Sequence, residues 1–356
     1  MKKGVYPDKE IRQLIEQGVI TSSKEIQPSQ IQPASIDLTM GKILYHMPYS
    51  SIPKGNVDEF LNTRASYRVD LEKNGFLHKG NIYVAELNES LNLPPNIQAK
   101  ANPKSSIGRI DVHVRLITED GRYFDEVPAG YKGKLFLEIY PISFDIILSP
   151  NSSLNQIRFF DIETEKLSSG MLGYLSKYET LLTNKGEKLQ EDSFINDDFV
   201  QLTLDLSEDT IGYVARHDAP PIDLSKRDLP LSKYFSKVNI VNNGIIIQKD
   251  SFYLLKSKEK INIPISHCIE ICDISTKSGE FRAHYAGFGD PGFTSEVVLE
   301  VRNSGAPFFL SNNQRIADIA YYSLRTEPEK PYGQEISSNY QDQVGIKPSK
   351  FFDRTK

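Results

Sequence analysis

Several things are scarce or missing in this chain of 356 residues, and each absence narrows its function. Only Cys268 and Cys272 occur, in a C-x3-C spacing inside an apolar run. At strand spacing they share one face, so a reduced, buried pair in a cytosolic protein is expected, with no disulfide framework. Zinc needs further ligands; His267 is adjacent, but nothing else completes a four-ligand set, and no metal site is expected. No run of about 18 apolar residues exists, which excludes a helical membrane span. Met1-Lys-Lys-Gly-Val-Tyr-Pro-Asp-Lys9 lacks an apolar signal core, so export is not expected and a cytoplasmic location is. There is no basic excess: the formal net charge is -5, against bulk binding to nucleic acid. What remains, with 39% hydrophobic and 25% charged residues, is a soluble globular composition long enough for two domains.

Residues 8–20 form an amphipathic helix pattern, with Ile11, Leu14 and Ile15 at i, i+3, i+4 and Gly18 as the stop. Nearly everything after it is short strand-like runs cut by Pro, Gly, Asn and Ser. Ser35-Ile-Asp-Leu-Thr39, Asn81-Ile-Tyr-Val-Ala-Glu-Leu87, Lys134-Leu-Phe-Leu-Glu-Ile-Tyr140 and Asn155-Gln-Ile-Arg-Phe-Phe160 are examples. Their spacing predicts a mainly β sandwich or barrel with few short helices, not βαβ units.

The chain also repeats itself. Asn74-Gly-Phe-Leu-His-Lys-Gly-Asn-Ile-Tyr-Val-Ala-Glu86 echoes the run from Asn243 to Lys256, and Leu91-Asn-Leu-Pro94 echoes Ile261-Asn-Ile-Pro264. Ala129-Gly-Tyr-Lys-Gly-Lys-Leu-Phe-Leu-Glu138 echoes Pro291-Gly-Phe-Thr-Ser-Glu-Val-Val-Leu-Glu300. Leu148-Ser-Pro-Asn-Ser-Ser-Leu-Asn-Gln-Ile157 echoes the run from Leu310 to Ile319, and these last two pairs share one offset of 162 residues. Gln32-Pro-Ala-Ser-Ile-Asp-Leu38 is matched to Asp218-Ala-Pro-Pro-Ile-Asp-Leu224. The chain therefore divides into two copies of one β-domain: residues 1–165, a polar connector over 166–195, and residues 196–356.

The copies differ where chemistry is expected. The first carries Lys104-Ser-Ser-Ile-Gly-Arg109, whose hydroxyls, successive backbone N–H groups and two cations suit a polyphosphate. The matching stretch of the second, residues 273–282, has lost that order. The second copy instead carries Ala286-Gly-Phe-Gly-Asp-Pro-Gly292, a tight turn, followed by the strand Glu296-Val-Val-Leu-Glu-Val-Arg302. Val297, Leu299 and Val301 make an apolar face, and Glu300 stands opposite, either a solvated strand residue or a catalytic acid/base. In the first copy this turn becomes the longer Thr118 to Gly130 segment, without Asp-Pro-Gly.

These residues, with Gln32-Pro-Ala-Ser-Ile-Asp-Leu-Thr-Met-Gly41 and the tail Pro331-Tyr-Gly-Gln-Glu-Ile-Ser-Ser-Asn-Tyr-Gln-Asp-Gln-Val-Gly345, resemble the dCTP deaminases of the dUTPase superfamily. The likeness covers nearly the whole chain twice over, as in a fused, double-length form. It implies two tandem dUTPase-like domains of distorted β-barrel or jelly-roll type. The family's phosphate loop, Arg-Ser-Ser-Leu-Ala-Arg, matches Lys104, Ser105, Ser106, Ile107, Gly108 and Arg109. Ser105 and Arg109 thereby inherit places at the reaction centre. The likeness further implies that Glu300 is the catalytic carboxylate, that Asp290 holds the nucleoside, that Val298 and Leu299 bind substrate, and that Tyr332 and Gln343 close over the nucleotide. Lys104, where an Arg is usual, loses bidentate geometry. Asn339 replaces a Lys that meets the phosphates. Because the superfamily builds a site from two neighbouring domains, each copy is expected to supply half of one, and Glu138 is expected to be vestigial.

The implied reaction is hydrolysis of dCTP to dUTP and ammonia. Glu300 would take the water's proton and return it to the leaving amine, with Arg109 and Ser105 orienting the water and stabilising charge. The H-x-E and P-C-x-x-C signature of the zinc deaminases is missing, so a metal-free centre is expected, with Mg²⁺ carried on the triphosphate. The family also implies feedback by dTTP and a homo-oligomer, three two-domain chains or else a dimer. Two rival readings are a bifunctional enzyme that carries dCTP on to dUMP, and a non-catalytic nucleotide-binding relative.

Overall fold

The computed structural model describes residues 3–119, 121–272, 282–283, 286–333, 340–343 and 345–353. His284, Tyr285, Asn339 and most of the 273–282 stretch lie outside the described residues.

The fold is mainly β, and each half repeats the same plan. In the first, the long strand Ile82–Asn92 is flanked antiparallel by Met40–Met47 and Lys132–Pro141, and Lys132–Pro141 by Val112–Thr118. A second sheet sets Asn155–Asp161 between Ser35–Leu38 and Ile97–Pro103. In the second half, Ser251–Asn262 pairs with Thr294–Asn303, and Arg315–Ser323 lies between Phe199–Thr203 and His267–Cys272. Period-two alternation does the sorting. Along Thr294–Asn303, Val297, Leu299 and Val301 enter the second hydrophobic core, as their spacing requires. The helix Asp8–Glu16 buries Ile11 and Leu14 and is followed by Gly18 at φ 70°, a left-handed stop that glycine adopts without strain.

The register corrects one part of the internal alignment. Ile36 pairs with Ile157, and the residue facing Ile319, 162 positions later, is Val200. The counterpart of Ser35-Ile-Asp-Leu-Thr39 is therefore Phe199-Val-Gln-Leu-Thr203, and not 218–224. The hydrogen bonds agree. Thr39 donates its N–H and hydroxyl to Glu89, and Thr203 donates the same two groups to Glu259. Ile222–Asp223 instead joins the first half, running parallel to Ile146–Ile147. Residues 166–195 also belong with the second half. Their helix Ser169–Tyr178 and strand Leu182–Asn184 repeat Asp8–Glu16 and Ile20–Ser22: Leu182 faces Ile261 as Ile20 faces Leu91. Leu172, Leu181 and Leu182 enter the second core.

Cys268 and Cys272 are free, and both sit on the strand His267–Cys272. Cys268 is buried; Cys272, expected to be buried with it, is half-buried near the strand's end. Among the described residues no helix is long and apolar enough to cross a membrane.

Candidate active site

A cavity of about 320 Å³ lies where the halves meet. The first half lines it with Lys104, Ser105, Ser106 and Arg109, and the second with Asp290, Val298, Glu300, Tyr332 and Gln343. Residues nearly 200 positions apart therefore share one space within a single chain. Three other expected residues stand behind the wall. The Ile107 and Leu299 side chains are buried in the two cores, and Gly108 presses on Glu300.

The loop acquires its shape from one short turn of helix, Ser105–Gly108, after the strand Ile97–Pro103. Pro103 ends that strand, and the N–H groups of Ile107 and Gly108 turn back to the Lys104 carbonyl. Glu300 comes from the polar face of Thr294–Asn303, yet it is only 2% exposed, which removes the reading of a solvated strand residue. Its Oε2 accepts from the Ala286 N–H at 3.1 Å. A Cβ built on Gly108 would lie 2.5 Å from Glu300 Oε2 and 2.7 Å from Oε1 and Cδ. Only a residue without a side chain lets the loop backbone approach this carboxylate so closely.

Arg109 is buried under the C-terminal tail. Its Nη1 donates to the Lys347 carbonyl at 2.7 Å and to Gln343 Oε1 at 3.3 Å, and its guanidinium stacks 3.7 Å from the Tyr340 ring centroid. Gln343 in turn donates from Nε2 to the Glu296 carbonyl at 2.6 Å, and Ser349 donates to the Ser106 carbonyl at 2.7 Å. The tail thus bridges the loop of one half and the Glu300 strand of the other. Tyr332 is half-buried beside it, and partial burial pushes its hydroxyl up to about 12.

Several lining residues were not singled out from sequence. Asp37 pairs with Lys104, and burial pushes its carboxyl upward against the pull of Lys104. Lys350 adds a third cation after Lys104 and Arg109, and Ser29, Gln32 and Gln156 add polar groups. Arg158 lies just behind the Phe288-Gly-Asp290 wall, fully buried, with Nη2 3.2 Å from Asp290 Oδ1. Burial also drives the Asp290 carboxyl upward, opposed by Arg158. The donors at the loop end are ammonium groups and hydroxyls, a set suited to an anion, and the Asp37 carboxylate beside them is engaged by Lys104.

Glu138 occupies the same strand position in the first half and has a different environment. Ser50 donates to its Oε1 at 2.8 Å, and residues 48–66 cover it, with the helix Val57–Arg64 packed on Met47, Val84, Ile117 and Phe136. The corresponding excursion of the second half, between Tyr213–Ala215 and Phe235–Lys237, leaves its own half to pair at Ile222 with Ile146. Glu138 is therefore roofed over, whereas Glu300 opens to the cavity.

Comparison with known proteins places these features. The 2'-deoxycytidine 5'-triphosphate deaminase N-terminal domain family matches residues 2–163, and the C-terminal domain family of the same enzyme matches residues 169–352. A protein of Methanosphaera stadtmanae named "dCTP deaminase, dUMP-forming" is 29% identical over 161 residues, 44% of this chain and 78% of that protein. A "dCTP deaminase" of Pseudoalteromonas atlantica is 25% identical over 162 residues, 43% of this chain and 78% of its own. The crystal structure of 2'-deoxycytidine 5'-triphosphate deaminase from Agrobacterium tumefaciens superposes with a TM-score of 0.84 at 33% identity, covering 91% of this chain and all of that one.

Proposed function

The chain belongs to the dCTP deaminase family, a family of hydrolytic deaminases, and on that premise we propose that it converts dCTP and water to dUTP and ammonia in the cavity between its halves. One observation carries this reading: Glu300 of the second half is buried against the Ser105–Gly108 turn of the first, beside Arg109. A carboxylate withdrawn from bulk water, in a cavity that a cation also lines, is placed to move a proton without losing it to solvent.

In this scheme the triphosphate, with the Mg²⁺ it brings, lies toward Lys104, Ser106 and Lys350. Asp290 takes the nucleoside, and the cytosine reaches Glu300. Glu300 accepts a proton from the attacking water as oxygen bonds to C4. That proton passes to N3, where uracil keeps it; the proton of the added hydroxyl then reaches the exocyclic amine, the C4–N bond breaks, and ammonia leaves as the C4 carbonyl forms. Ser105 and Arg109 orient the water and stabilise charge gathering on the ring. Glu138, capped by Ser50, takes no part. We take the working assembly to be three chains, which a mass measurement in solution checks.

The names of relatives such as the Methanosphaera protein favour a second reading, in which dUTP is carried on to dUMP and pyrophosphate at the same site. Incubation with dCTP and Mg²⁺ followed by separation of products decides. Ammonia with dUTP supports the first reading, ammonia with dUMP and pyrophosphate the second, and no turnover removes both.

A further inference from the structure

Among the described residues Arg158 is the largest fully buried side chain, and it stands outside the reaction scheme above. It comes from the first half, on the strand Asn155–Asp161, yet most of its partners are in the second. Nε donates to the Ala34 carbonyl at 3.2 Å and Nη1 to the Ile269 carbonyl at 2.8 Å. Nη2 donates to the Gly289 carbonyl at 3.3 Å and to Asp290 Oδ1 at 3.2 Å. The Phe288 ring centroid lies 4.2 Å from Cζ. One guanidinium thus touches three consecutive residues, 288 to 290, all of which line the cavity.

We propose that Arg158 is a positioning residue for nucleotide recognition, holding Asp290 and the Phe288–Gly289 strand from behind so that the Asp290 carboxylate faces the nucleoside in a fixed orientation. The proposal rests on the deaminase reading. Its physical basis is reciprocity. A buried guanidinium requires an anionic partner, and the planar fork that satisfies it fixes where that partner's oxygens point. Among the described residues no other cation pairs with Asp290, whereas Asp37, Tyr332 and Cys268 lie near enough to act on it electrostatically. Losing the guanidinium would leave that carboxylate both desolvated and unoriented.

The duplicated half supplies an internal control. The hairpin residues Glu126 and Val127 pair with Lys100 and Ala99, as Phe288 and Gly289 pair with Glu270 and Ile269. In that frame Pro128 stands in the place of Asp290, and Ala320 in the place of Arg158. The equivalent position across the halves, Ala320 of the second against Pro128 of the first, lacks both members of the pair. A requirement of the fold alone would apply to both halves; the pair occurs where the cavity is.

The test is a cycle of Arg158→Met, Asp290→Asn and the double variant, with Arg158→Lys as the conservative replacement. Steady-state kinetics on dCTP are measured for the full chain, with thermal melts alongside. Arg158→Met should raise KM by about 10- to 100-fold, the loss expected for a charge-assisted hydrogen bond, with a much smaller change in kcat. Arg158→Lys should recover part of that loss. In the Asp290→Asn background, Arg158→Met should add less than about threefold, because the residue it acts through is already altered. Unchanged KM in Arg158→Met, or full multiplication of the two effects in the double variant, would overturn the proposal. If Arg158→Met fails to fold, Arg158→Lys alone decides: a KM equal to that of the parent refutes the role. Absence of dCTP turnover by the unaltered protein is a different outcome and removes the deaminase reading itself.

Discussion

Replacing Arg302 by Met cuts the ion pair that ties the two halves of the site together. Arg302 lies two residues beyond Glu300 on the same strand face, and Asp111 lies two beyond Arg109. Arg302 Nε is 3.1 Å from both Asp111 carboxylate oxygens, and Nη2 binds Oδ2 as well. Ser143 bridges the pair, donating to Asp111 at 2.6 Å while accepting from Arg302 at 3.0 Å. Asp111 is 0% exposed, so the variant leaves a carboxylate buried with its main cation gone. Breaking such a pair from one side costs about 3–5 kcal/mol. At about 2 °C per kcal/mol, the lower end of the range for chains of about 150–250 residues, the melting temperature should fall by roughly 6–10 °C. Asp111→Asn combined with Arg302→Met removes both charges and should regain more than half of the loss. Calorimetry at pH 7 on the parent and the two variants measures this directly. A fall of less than about 2 °C for Arg302→Met, or a double variant no more stable than the single one, would refute the reasoning.

Two further outcomes follow from the same contacts. His113 meets Arg282 at 2.8 Å, and burial, with Arg282 and Arg115 nearby, holds its imidazole down from 6.5 to about 3. The unfolded chain then binds a proton that the folded one refuses. Stability should fall as pH drops from about 6.5 towards 3, by about 1.4 kcal/mol per pH unit from this group. Denaturant titrations of His113→Gln should show that slope reduced by one proton, and an unchanged slope contradicts the assignment. At Gly108, a Val side chain would occupy the space of the Glu300 carboxylate. Gly108→Val should lower kcat by at least about 100-fold, the scale of a lost acid/base group, and kinetics within threefold of the parent would show that the contact is not needed.

How much of this was legible beforehand depended on how local the cause was. Alternation placed Val297, Leu299 and Val301 inward, and helix spacing placed Ile11 and Leu14, because both patterns are set by the chain's own geometry. The split of the site between Lys104-Ser-Ser-Ile-Gly-Arg109 and the Asp-Pro-Gly hairpin was readable from comparing the two copies. Pattern left Glu300 open between solvated and buried, since burial is decided by the other half pressing Gly108 against it. The match of 218–224 to 32–38 went astray on a shared Ile-Asp-Leu, whereas the true counterpart keeps the Thr203–Glu259 hydrogen bonds and little identity. Arg158 gave no signal. Its partners in the second half lie 111 to 132 residues away, and a lone Arg in an apolar strand announces neither burial nor partner. Tyr340 and Lys350 were missed for a similar reason: their places follow from a tail that folds back over more than about 230 positions to reach Arg109.

The central claim is that one carboxylate of two, Glu300, does the chemistry in a site completed by the opposite half. Ammonia release from dCTP by Glu300→Gln and Glu138→Gln, with dCTP affinity measured by calorimetry on each, tests it most directly. Glu300→Gln should lose deamination by at least about 100-fold while still binding dCTP, and Glu138→Gln should retain most activity. Comparable loss in both variants, or an active Glu300→Gln, would contradict the account.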